Sequence, residues 1–297
     1  MPPRCQVLAV TAGGQQFAIP IETVAEVTRR RAGPAEQGVV RLAEALGLAH
    51  ERQGEVQLEL ATARGRYTLA VETVGRTEYA RALPLPDLLD QAGQRLPFSS
   101  VVPLAAGPAL LLDVERLAGA GQSNEEASRT ARTPDRRKGQ ATGENASSVG
   151  PAGPGAVPGG PLLICTPGPY RLRQRTLALG FPLTGVAAVG HYEGVVPVPR
   201  SAAPVAGVAI HGERAVPVLH APDVLGLPPA PWTPQFLVVV DTGRGPAALA
   251  VEHAAGTERP LHWAPASVLA PFRAPAIVGA IPRRERWTAV LDPALIT

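Results

Sequence analysis

Apolar and polar residues alternate in short runs along this chain, and glycine-bearing breaks separate the runs. Val7–Thr11 and Gln16–Ile21 flank Gly13-Gly14, the pattern of two strands joined by a tight turn. Glu55–Ala61 and Arg66–Val71 flank Arg64-Gly65 in the same way, and Pro108–Val114 reads as a further strand. In the later part of the chain, Pro204–Ile210 and Ala215–His220 flank His211-Gly212-Glu213. Phe236–Val240 and Ala247–Val251 flank Asp241–Gly245, and Ala276–Ile281 and Trp287–Leu291 flank Pro282–Arg286. Short helices are predicted at Leu42–Leu48, Leu85–Ala92 and Pro222–Leu225. Many short strands with tight turns predict an all-β fold of small closed barrels, because closure removes exposed strand edges.

The pattern stops between residues 119 and 160. Gly, Ser, Pro, Ala and charged residues dominate there, and large apolar side chains nearly vanish. Such a segment buries too little apolar surface to offset its ordering entropy, so a disordered linker is expected. It separates an expected domain at 1–118 from another at 161–297. The two flanks repeat each other. Ile19-Pro20-Ile21 aligns with Phe181-Pro182-Leu183 at an offset of 162 residues. Glu44–Leu48 aligns with Asp223–Leu227 at 179, Leu69–Glu72 and Thr77-Glu78 with Leu249–Glu252 and Thr257-Glu258 at 180, and Leu112-Asp113 with Leu291-Asp292 at 179. The offset jumps once, by 17, so the second copy carries an extra piece around Val195–Arg214 that the first lacks.

Composition narrows the function classes. Apolar residues make up 45% of the chain but aromatics only 4%, so the cores must be filled by Val, Leu, Ala and Pro. Thirty-three prolines and 31 glycines argue against a helical protein. The net charge of +3 is small, and outside Arg129–Lys138 no basic face is interleaved with aromatics, which argues against nucleic-acid binding. No apolar run is long enough to span a membrane, and the first residues lack a signal-peptide core, so a cytoplasmic protein without direct membrane insertion is expected. Cys5 and Cys165 read as small core residues in a reducing compartment.

Candidate chemistry is sparse. Asp241-Thr242-Gly243 resembles an aspartic-protease loop, but the repeat sets Ala61–Ala63 opposite it, so no second carboxylate is supplied and a hairpin turn is the better reading. Asp241–Gly245 also mimics part of a histidine-kinase nucleotide pocket, without the accompanying Asn-bearing helix and glycine-rich lid. The six histidines show no metal-ligand spacing; His211 and His220 flank one hairpin without a third ligand. No catalytic, cofactor or metal site is expected, and no enzymatic activity.

The second half resembles the CheW-like domains of bacterial chemosensory systems. The resemblance lies in FPLTGVAAV at Phe181–Val189, PVAGVAIHGERAVPVLHAPDVLGLP at Pro204–Pro228 and FLVVVDTGRGPAALAVEHAAGTE at Phe236–Glu258. The first half looks like a shortened relative. VVRLAEALGL at Val39–Leu48 and the stretch from Leu83 to Leu117 are similar to the CheW-like regulatory domain of CheA kinases. The resemblance implies tandem CheW-like domains, each of two five-stranded SH3-like barrels with short helices. It also implies an adaptor that couples chemoreceptor cytoplasmic tips to the regulatory domain of a CheA-type histidine kinase, or joins other CheW-like proteins. Family members usually carry Asn-Leu-Arg-Gly where this chain has Ala209-Ile210-His211-Gly212, and Asp where it has His220. The extra hairpin, through Val205, Val208, Ile210, His211, Gly212, Val216 and Val218, is the candidate protein-interaction surface, with one face expected in a barrel core. Two alternatives stay open. One is an accessory regulator of a chemosensory-like pathway for surface motility or gene expression. The other is an unrelated β-barrel enzyme or small-molecule binder.

Overall fold

A computed structural model describes residues 4–29, 39–49, 56–86, 96–119, 160–270, 272 and 274–296. The expected linker, at 120–159, and most of the helix expected at Leu85–Ala92 lie outside the described residues. The chain is all-β, and its strands form four sheets.

In the first half, β1 (Arg4–Ala12), β2 (Gln15–Pro20), β7 (Thr73–Arg81), β8 (Leu83–Pro84), β9 (Phe98–Leu104) and β10 (Gly107–Leu112) form a six-stranded sheet in the order β7-β1-β2-β10-β9-β8. A four-stranded sheet, β3-β5-β6-β4, is built from β3 (Val24–Arg29), β4 (Val39–Arg41), β5 (Val56–Thr62) and β6 (Gly65–Val71). Helix α1 (Leu42–Leu46) ends at Gly47, which takes the left-handed conformation usual after a helix. Residues 114–119 are also helical.

In the second half, β11 (Leu162–Thr166), β13 (Arg175–Pro182), β19 (His253–Glu258), β20 (Ile277–Pro282) and β21 (Arg286–Leu291) run in the order β19-β11-β13-β21-β20, and β12 (Arg171–Leu172) pairs with β13. The remaining sheet is β14-β17-β18-β16-β15, from β14 (Val186–His191), β15 (Val205–His211), β16 (Arg214–His220), β17 (Phe236–Thr242) and β18 (Gly245–Val251). Helix α2 (Ala221–Val224) follows β16.

The two halves share the strand order of their central strands. β10 runs parallel to β2 as β21 does to β13, and β4 runs parallel to β6 as β16 does to β18. β6 and β18 have the same bounds at an offset of 180, and the register slips at Val24/Glu26 and again at Val186/Ala188, at 162. The strand counts depart from five per barrel. Among the described residues the four-stranded sheet has no counterpart of β15; nine residues, 30–38, separate β3 from β4, where 192–217 hold 26.

Period-two alternation sets the cores. On β5, Val56, Leu58 and Leu60 point inward, and on β2 Phe17 and Ile19 do the same; all five are buried. They meet Leu42, Leu69, Leu110 and Leu112 in one cluster between the two first-half sheets. Fully burying such a side chain is worth roughly 2 kcal/mol. Phe181, Leu179, Val238 and Leu249 occupy the matching place in the second half. Cys165 lies within that core and burial pushes its thiol up to about 12, whereas Cys5 is half-buried; both are free.

Candidate interaction cleft

The predicted interaction hairpin forms as β15 and β16. His211 pairs with Arg214 across the two-residue turn Gly212-Glu213, where Gly212 takes φ +59°, a value that costs a residue lacking a Cβ nothing. The hairpin has two apolar faces. Val208 is fully buried, and with Ile210 and Ala215 it packs into the first-half core. Val216 and Val218 are buried on the other face with Ala209, Leu237, Val239 and Ala248. At the base, half-buried Val205 touches both the first-half and second-half cores. His211 and Gly212 are exposed at the tip.

Three of the seven predicted residues, Ile210, His211 and Val216, line a cleft of about 580 Å³ between the halves; Val205, Val208, Gly212 and Val218 do not. One wall is the β9–β10 turn of the first half, through Pro103, Leu104, Gly107 and Pro108. The opposite wall is β14 from Ala188 to His191, and the floor is Leu237, Val239 and Ala248. The lining is mostly apolar, with His191, Glu193 and His211 as its polar members. β14 is the edge strand of its sheet and exposes Val189 at 45%. The equivalent residue on β3, Val27, is exposed at 48% on the other edge strand. An apolar side chain on an unpaired strand edge is costly in water and suits a protein partner. The sequence reading missed both valines. The signal was available, since they stand 162 residues apart in the repeated segment.

Polar ties hold the cleft walls in place. Arg81 Nη1 lies 2.7 Å from Glu213 Oε1, and Gln15 Nε2 donates to the Pro197 carbonyl at 2.6 Å. Glu213 is largely exposed, so this ion pair adds little stability and the junction rests on apolar burial.

The other motifs resolve into local structure. Thr242 Oγ1 donates to the Gly245 carbonyl at 2.7 Å and accepts from the Arg244 amide at 3.2 Å, closing the β17–β18 turn. Thr62 does the same with Gly65 and Arg64 at equal distances. The Asp-Thr-Gly motif is therefore the turn the repeat implied. His211 sits at the hairpin tip and His220 at its base, where Nδ1 is 3.4 Å from Asp223 Oδ2. Among the described residues, no three His, Cys, Asp or Glu side chains are grouped to hold a metal ion, and no helix is long and apolar enough to cross a membrane.

Residues 170–297 match the family model described as the CheW-like domain. The scaffolding protein TtCheW from Thermoanaerobacter tengcongensis is similar in structure over 45% of this chain and 88% of its own, at 11% identity and a TM-score of 0.37. No curated protein matches the chain.

Proposed function

From the premise that residues 170–297 are a CheW-like domain, the domain of a chemotaxis scaffold family, we propose that the chain is a non-enzymatic chemosensory adaptor acting in the cytoplasm. Its partners are the regulatory domain of a CheA-type histidine kinase, a chemoreceptor cytoplasmic tip, or another CheW-like barrel. The first half is a second, shortened copy of the same domain; the shared order of the central strands and the paired Thr62/Thr242 turns support that reading.

The observation that carries the proposal is the junction cleft with its edge strand β14. Val189, Ile210 and His211 border a largely apolar hollow suited to a partner's strand edge or helix end. Affinity then comes from desolvating Val189 and the cleft wall, with His211 and His191 at the polar rim. The family's usual Arg at the tip is His211 here.

The test is a calorimetric titration of the full chain with a purified CheA regulatory domain. Saturable binding is expected, weakened about tenfold or more by Val189→Lys, which corresponds to about 1.4 kcal/mol. Val189 is exposed, so the variant should keep its fold. Absence of binding to the kinase domain, a receptor cytoplasmic fragment and a single-domain CheW alike would remove the adaptor reading.

A further inference from the structure

The first-half core is closed although, among the described residues, its four-stranded sheet has one strand fewer than the matching sheet of the second half. Leu42, Leu58 and Leu69 are fully buried. They share one continuous cluster with Val196, Val198 and Val208, which are 5%, 4% and 0% exposed and come from the second half. Val196 and Val208 exchange both backbone hydrogen bonds, at 2.8 and 2.9 Å, so the two strands meet the first-half core as a single flap. By its ladder to β16 the strand β15 belongs to the second half; by the packing of Val208 and Ile210 it belongs to the first.

We infer that the segment 195–210 is the hairpin the first half lacks, supplied in cis by the second half, and that the two halves are one obligate unit. Its length agrees with this. The extra piece in the second copy packs one face on its own sheet, through Ala206 and Ala209, and turns the other, through Val196, Val198 and Val208, into the neighbouring core. Its backbone is fitted to the task as well. A Cβ placed on Gly207 would lie 2.5 Å from the Val196 carbonyl oxygen, so the flap closes only with glycine there. The chemistry recognised is that of an apolar β-flap presenting three valines, held in register by Gln15 on the Pro197 carbonyl and by Arg81 on Glu213. The inference does not rest on the identity of any kinase or receptor partner.

The test uses the full chain with a sequence-specific protease site inserted between residues 140 and 141. After complete cleavage, the two fragments are expected to co-elute from a sizing column as a 1:1 pair with the mass of one chain, close to 30.8 kDa, and to stay together in high salt. Separation of the fragments overturns the inference, as does a mass of two chains, which would mean that the flap docks between molecules. Val208→Asp and Gly207→Ala are then introduced into the cleavable chain. Loss of co-elution, or at least a tenfold weaker fragment affinity, supports the flap as the joining element. Unchanged association of both variants overturns it. Should Val208→Asp fail to fold, Gly207→Ala carries the same decision, because it removes no apolar atoms and acts where the backbone of β15 approaches Val195 and Val196.

Discussion

Burial raises the pKa of the Glu258 carboxyl, but Arg286 and Arg283, both within ion-pair distance, outweigh that effect and hold it below its ordinary value of 4.5. Glu258 lies on β19, and the two arginines flank the β20–β21 turn. Its repeat mate Glu78 serves the same end of the first half by accepting from the Ala105 amide at 2.8 Å. A carboxyl with a depressed folded pKa contributes stability that is complete above its unfolded value and is lost as pH falls through the folded one. Glu258→Gln should therefore lower the urea midpoint at neutral pH and flatten its decline below about pH 4.5, where the two proteins converge. A midpoint series across that range checks it; parallel curves would show that the carboxylate charge is not the cause. At this scale the repeat was legible residue by residue. Asp113 and Asp292, aligned from sequence, both accept a backbone amide two or three residues on, from Arg116 at 3.1 Å and Ala294 at 3.0 Å. Capping explains why Asp stands after the last strand of each copy. The partners of Glu78 and Glu258 were not legible, because one bonds a backbone amide and the other two guanidiniums, and identity of the carboxylate does not reveal which.

The β1–β2 turn shows what an element demands of two adjacent glycines. Gly13 and Gly14 have φ of +58° and +71°, the pair of positive values that a tight two-residue hairpin turn requires. Glu72 receives both amides, at 2.9 and 3.3 Å. A Cβ on Gly14 meets nothing within 4 Å, whereas one on Gly13 would lie 2.7 Å from Leu48 Cβ and 3.0 Å from the Ala49 carbonyl. Gly14→Ala should cost about 1 kcal/mol, the left-handed backbone penalty. Gly13→Ala should cost clearly more, about 2 kcal/mol or above, since the end of α1 must also move. Urea unfolding of the two single variants separates them; equal losses would mean that the packing against Leu48 does not matter. Apolar strands bounded by tight turns were read within a residue or two of their bounds, as for β5, β6, β17 and β18. β7 and β19 were aligned as repeat blocks without being read as strands. Gly75, Arg76, Thr77 and Glu78 give β7 no apolar alternation, and it becomes a strand because the long β1 offers it a pairing edge.

At the scale of the molecule, where the two copies meet could not be read from the sequence. Apolar residues on both faces of the β15–β16 hairpin showed that both would be covered, but alternation cannot name the cover. Val208 and Ile210 could have faced their own barrel; they face the other one. The cleft was hidden for the same reason, because one wall comes from Pro103, Leu104, Gly107 and Pro108, which are distant in sequence and carry no motif. A shared core has a thermodynamic signature that two tethered barrels lack. Independent domains unfold in two steps, each with a denaturant slope set by its own newly exposed surface. Here unfolding the second half would strip Val196, Val198 and Val208 from the first-half cluster, and unfolding the first would expose those three valines to water, so each event destabilises the remainder. The intact chain should accordingly unfold in urea in one transition, coincident by far-ultraviolet circular dichroism and tryptophan fluorescence. All three tryptophans, Trp232, Trp263 and Trp287, lie in the second half, so fluorescence follows that half alone while circular dichroism follows both. Coincident curves with a slope appropriate to the whole chain would show the coupling. A circular-dichroism transition split from the fluorescence one would show two barrels that merely touch. Val208→Asp should convert the first behaviour into the second, because the charge left at that position cannot remain in the first-half core.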